Sequence, residues 1–199
     1  EGDEEVHKRQ LFNQPISCVD CLRMVSGEFI DDFERNKPTI FWLDYTSPSD
    51  LDNQIAEFDT LLRKLQQYDI VKLTLNAHPA SYLSKIGDIT EDELRQQRRG
   101  KLREALGDYF AETISEDMMT HKRFPEALGG IVRYTAQTSM EGFSDRYFQP
   151  LSIFSYADGQ QMLTVTGIIL NSGEKNSFLK ETSLKKWKLG NFNWQKPVR

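Results

Sequence analysis

Residues 39–79 read strand, helix, strand, and that order constrains the chain more than anything else in it. In "TIFWLDYTSPSD" a mostly apolar run ends on Asp44 and Tyr45, with Thr46, Ser47 and Pro48 right behind. From Ser49 or Asp50, either a good N-cap, the apolar residues Leu51, Ile55, Phe58, Leu62 and Leu65 recur at the spacing of one helical face. "DIVKLTLNAHP" then supplies Ile70, Val71, Leu73 and Leu75, a buried strand closed by Asn76 and Pro79. Two strands joined through a helix make a crossover connection, which pairs them in parallel.

The flanks extend this alternation. A polar helix is expected over "DEEVHKRQLF", stopped by Asn13-Gln14-Pro15, and then a strand over the apolar run Ile16 to Val25. Phe29, Ile30 and Phe33 predict a short helix that ends before Lys37-Pro38. Residues 80–122 break the rhythm with a highly charged segment of one or two exposed helices, its apolar stripe limited to Leu102, Leu106, Tyr109 and Ile114. Another helix runs from Pro125, marked by Phe124, Leu128, Ile131 and Thr135. In "YFQPLSIFSYADGQQMLTVTGIIL" two alternating runs flank Asp158-Gly159, a strong short-range signal for an antiparallel β-hairpin. The tail carries Trp187, Phe192 and Trp194 and reads as a capping segment.

Composition narrows the classes. No 18-residue apolar run is present to span a bilayer, and 38% apolar with 28% charged residues is ordinary for a folded domain. A net charge of −5 argues against binding that depends on neutralising phosphates, so nucleic acid is not an expected partner. Cys18 and Cys21 form a lone CxxC with no further ligands, too few for a zinc site, and no metal is expected. Asp50 and Asp52 read as helix N-terminal acids. Two free thiols suggest a reducing compartment, hence the cytoplasm.

The blocks "EGDEEVHKRQLFNQP", "IFWLDYTSPSD", "VKLTLNAHP", "QPLSIFSYADG" and "MLTVTGIIL" together resemble a family of bacterial proteins described as putative O-methyltransferases, related to the class I enzymes that use S-adenosylmethionine. The resemblance implies a Rossmann-like, mainly parallel sheet with helices on both faces and a C-terminal antiparallel hairpin. It lacks the first two strands and the glycine-rich turn of that fold. Residues 1–170 would be an incomplete methyltransferase-like domain with a charged helical insertion at about 80–122, and 171–199 a tail packed on it. Strand 16–25 would then want a neighbour, so the 199 residues are expected to be a segment of a longer chain, inactive by itself.

Carried over residue by residue, the resemblance makes Glu1 the acid that holds the cofactor ribose and Glu28, in "VSGEF", the group that meets the adenine. It makes Asp44 and Tyr45 the residues that close the fourth strand against the methyl donor and the acceptor. Methyl transfer from a sulfonium is an in-line displacement, so the protein positions a nucleophile and removes its proton. Asp44 suits that base or could orient a hydroxyl, with a helix or turn cap as the alternative, and Tyr45 could lay its ring on the sulfonium or simply wall the cleft. His78, at the end of the next strand, could move a proton or be merely exposed. Asn76 could bond substrate or terminate the strand. The acceptor would be a small molecule or another oxygen or nitrogen nucleophile. The alternative is a non-catalytic binding or regulatory protein whose segment 91–117, with Arg98 and Arg99, meets a protein partner.

Overall fold

Asp3 accepts a hydrogen bond from the Val6 N–H (2.9 Å) and so starts α1 (Glu4–Phe12), the first element of the structure, a computed structural model that describes residues 3–14, 16–85 and 87–187. Glu1, the expected ribose acid, lies outside the described residues. The chain divides into two units, Glu1–Glu34 and Arg35–Arg199. In the first, α1 is followed by a short α2 (Ser26–Asp32). The strand expected over residues 16–25 is not there: the described residues of that run form turns and irregular backbone, with a Val19 N–H to Ile16 carbonyl bond (3.3 Å). An apolar run becomes a strand only where a neighbour completes its ladder, and none of the described strands pairs with this one.

The second unit holds β1 (Ile40–Asp44), α3 (Leu51–Lys64), β2 (Ile70–Asn76), α4 (Glu91–Leu106), α5 (Phe124–Met140), β3 (Arg146–Asp158), β4 (Gln160–Asn171), α6 (Lys175–Glu181) and α7 (Leu184–Trp187). The four strands make one mixed sheet in the order β1-β2-β4-β3. Only β1 and β2 are parallel neighbours; β4 lies antiparallel to both β2 and β3. The expectation of a mainly parallel ladder therefore gives way to mixed pairing, although β1, β2 and β3 all run the same way and β4 alone opposes them. Gly159, with φ 74°, is the single residue between β3 and β4, a backbone setting that favours glycine.

One face of the sheet carries Phe41, Leu43, Val71, Leu73, Leu75, Leu163, Val165 and Ile153, all buried. Helices α3 and α5 pack on that face and against each other. From α3, Leu51, Ile55, Phe58, Leu61 and Leu62 are buried, each contributing about 1.5–3 kcal/mol before the cost of ordering the chain. Phe58 meets Phe148 of β3 edge-on at 6.2 Å, and Phe148 in turn covers Gly167 of β4. Gly129 of α5 lets Ile153 approach closely, to 3.0 Å from where a Cβ would stand. The opposite face carries Ile40 and Trp42 (73% and 60% exposed), Phe154 and Tyr156. Of the helices expected on the sheet's faces, α3 and α5 share this one, with Phe58 of α3 against Phe148 of β3 and α5 against β3 and β4.

At the amino ends of β1 and β2 the fully buried Asp69 sets the register. Its Oδ1 accepts the Thr39 N–H (2.8 Å), and its Oδ2 accepts the Gln66 N–H and the Arg35 Nε–H (2.8 Å each). The Ile70 N–H donates to the Thr39 carbonyl (3.0 Å), and Ile40 stands opposite Ile70. No helix among the described residues is long and apolar enough to cross a membrane.

Candidate functional site

Parallel β1 and β2 end at the same edge of the sheet, and the β3–β4 turn reaches the same end, because Asn76 stands opposite Met162 and the Ala77 N–H donates to the Gln161 carbonyl (2.7 Å). The carboxyl ends of parallel strands are where open α/β sheets bind ligands, since the loops there diverge. Asp44, Tyr45, Asn76 and His78 all stand at this end.

Asp44 follows Ile40 and Trp42 in the alternation of β1, so it belongs to the less covered face. Its carboxylate is exposed and makes no hydrogen bond to a described residue. Tyr45 lies on the helix side. Its N–H donates to the Thr74 carbonyl (3.0 Å) and its half-buried hydroxyl donates to Glu57 of α3. That bond directs the phenol toward α3 and fixes the turn that presents Asp44.

Asn76 is a knot that joins three loops. Its Nδ2 donates to the Thr46 carbonyl (3.3 Å), while its Oδ1 accepts the His78 N–H (3.0 Å) and Gln160 Nε2 (3.4 Å). Its carbonyl accepts the Tyr82 hydroxyl (2.7 Å), and burial pushes the Tyr82 phenol well above its ordinary value. Of the two readings open for Asn76, the geometry supports the structural one.

His78 stands two residues past β2 and half-buried. Its ring meets that of His121 edge-on, with centroids 5.0 Å apart. Burial, with His121 and Arg98 nearby, holds the His78 imidazole below its ordinary value. Arg98 comes from α4, where its Nε donates to the Leu83 carbonyl (2.9 Å) and its Nη1 to the Met119 carbonyl (3.1 Å). Arg99 likewise turns inward, to the Ile114 carbonyl (2.7 Å). The charged segment is thus less exposed than its composition suggests, because Leu94, Leu102 and Leu106 are buried and two arginines fasten the loops around them.

Glu28 stands exposed in the first turn of α2, in the first unit. Cys18 is exposed and Cys21 half-buried, and both are free thiols. Among the described residues no three His, Cys, Asp or Glu side chains gather to hold a metal ion. Two features escape sequence reading. One is His121, which sits in a polar loop and gives no local sign of its nearness to His78. The other is Asp59 of α3, whose carboxylate accepts Arg63 (3.0 Å), the Tyr109 hydroxyl (3.2 Å) and the Ser139 hydroxyl (2.5 Å), tying α3 to α5 and to the turn after α4. Its i,i+4 spacing to Arg63 is legible, but its partners 50 and 80 residues away are not.

These observations define an α/β protein with a mixed four-stranded sheet and a polar site at the carboxyl ends of its parallel strand pair. The chain belongs to the family described as Putative O-methyltransferase, whose model matches residues 1–198. A search of curated proteins finds none that matches it.

Proposed function

We propose that the protein is a methyltransferase that uses S-adenosylmethionine and methylates an oxygen or nitrogen nucleophile, with a fold of the class I type. The observation that carries this reading beyond family membership is the strand plan: three strands run one way, and the last, β4, is inserted between β2 and β3 in the opposite sense. A final strand reversed between its neighbours is what the resemblance to class I enzymes implies.

The described residues fit such a cofactor in one respect. Asp44 offers an exposed carboxylate, with no protein partner among the described residues, at the carboxyl end of a parallel pair, and a negative group there suits a cationic donor. When bound, the cofactor supplies a methyl group already activated on a sulfonium. Asp44 then accepts, at a carboxylate oxygen, the proton that the acceptor hydroxyl or amine must lose. Tyr45 is a positioning residue, because its bonds to the Thr74 carbonyl and to Glu57 fix where β1 hands over to the turn. Asn76 ties that turn to the loop after β2 and so holds the two in one arrangement.

The test is calorimetric titration of the full-length native protein with S-adenosylmethionine, alongside Asp44→Ala in the same chain. Saturable binding that Asp44→Ala weakens supports the reading. Absence of binding by the native protein, with its fold verified by circular dichroism, overturns it.

A further inference from the structure

The group at the end of β2 has an electrostatic property that proton transfer leaves unexplained. Three basic side chains from three separate stretches of chain approach there: His78 from the loop after β2 and His121 from the loop before α5, whose rings meet, and Arg98 of α4, which bonds the Met119 carbonyl two residues before His121. The two imidazoles meet edge-on at 5.0 Å, and neither ring makes a hydrogen bond to a described residue. Arg98 spends its Nε and Nη1 donors on the Leu83 and Met119 carbonyls, so its guanidinium is held in place while Nη2 makes no bond to a described residue.

Among the described residues no carboxylate forms an ion pair or hydrogen bond with either imidazole, and the neighbours that hold the His78 imidazole down are His121 and Arg98, both basic. The acid that acts on Arg98, Glu91, lies 3.2 Å from the Lys85 ammonium and is engaged by it. A fixed cation beside two imidazoles disfavours their protonation, and an anion bound among the three groups would offset that repulsion. A fixed guanidinium with a free donor, flanked by two imidazoles that each carry one N–H donor when neutral and two when protonated, is the donor set that oxyanions take up. A metal ion is a poorer match, because two imidazoles would want a third ligand and no such trio exists among the described residues.

We propose that His78, His121 and Arg98 form a binding site for an oxyanion, a carboxylate or phosphate group carried by a small-molecule ligand. The site gives His78 a binding role in place of the proton-transfer role that its position alone suggests. It stands at the ligand-binding end of the sheet, which is where an acidic substrate would be gripped. It does not depend on the methyl-transfer reading, and its test uses no methyl donor.

The test follows the histidine ring signals of the whole protein by NMR at about pH 6.5, near the ordinary imidazole value, at constant ionic strength set with sodium chloride. Inorganic phosphate and acetate are titrated in separate arms, and the signals are assigned with His78→Gln and His121→Gln. The expected result is that the His78 and His121 signals move along one saturable curve. Tighter binding of phosphate points to a phosphorylated ligand, and tighter binding of acetate to a carboxylate. Removing one imidazole donor with His121→Gln, an exposed residue, should weaken binding about tenfold while leaving the thermal midpoint in place. Shifts that stay linear in both arms, or that are unchanged in His121→Gln, would overturn the proposal.

Discussion

Asp69 offers the sharpest test of how this sheet is held. Its two carboxylate oxygens accept three donors at 2.8 Å, the Thr39 and Gln66 N–H groups and the Arg35 Nε–H, and the residue is 0% exposed. Asp69→Ala strands two backbone donors, and each unsatisfied buried donor costs about 1–3 kcal/mol. Arg35 adds little to the loss, since it keeps the Gln67 carbonyl (3.0 Å) and Gln66 Oε1 (3.3 Å) and its side chain is 19% exposed, open to water. The expected destabilisation is about 3–4 kcal/mol, within the range for breaking a buried charged pair. Asp69→Asn keeps the shape but must turn an NH2 toward at least one donor, so it should cost about 2 kcal/mol, one bond plus the opposed N–H groups. Urea unfolding monitored by circular dichroism measures both, with the slope expected to stay unchanged because the surface exposed on unfolding is the same. Asp69 lies at the far end of the strands from Asp44, about 13 Å along β1, so ligand binding per folded molecule should be unaffected. A loss below about 1 kcal/mol for Asp69→Ala would refute the claim that this carboxylate anchors the register.

Other perturbations test the remaining contacts. Asn76→Ala should cost about 1–3 kcal/mol, by freeing the half-buried His78 N–H and the link to Thr46, and should speed amide hydrogen exchange at His78; unchanged exchange there would mean that the loops are held by something else. Gly167→Ala places a Cβ 2.0 Å from Phe148 Cζ, so the ring must leave its edge-on contact with Phe58, at about 1–3 kcal/mol; a neutral result in urea unfolding would show that Phe148 is not fixed there. His78 has a folded-state pKa below its unfolded value of 6.5, so its neutral form is favoured by folding. Above pH 6.5 this costs nothing. As pH falls through 6.5 the unfolded chain takes up a proton that the native state declines, and stability drops until the folded pKa is passed. His78→Gln should therefore lose less stability than the native chain between about pH 7.5 and about pH 5.5, and an equal loss would contradict the assignment.

Periodicity carried much of the local structure. The helical face of Leu51, Ile55, Phe58 and Leu62 and the apolar run of Ile70 to Leu75 are α3 and β2, because a residue's face follows from its neighbours along the chain. Asp44 and His78 were found as strand-end polar residues in the same way. The run Ile16–Val25 shows the limit of that logic. Its apolar content matches a strand, but Ile16, Leu22 and Val25 are more than half exposed, and a ladder needs a partner that composition does not reveal.

What the sequence alone determined is thus the alternation of elements and the turns between them, both set by short-range sterics and amphipathic spacing. The tertiary structure decided which ends share a space: it put His121 against a histidine 43 positions earlier, turned Arg98 and Arg99 inward onto carbonyls, made Asn76 a knot between loops, and set β4 against β2. The physical reason is that electrostatic and hydrogen-bonding partners are chosen by distance in space. The chain brings such groups together only once the apolar faces of α3, α5 and the sheet have closed on one another.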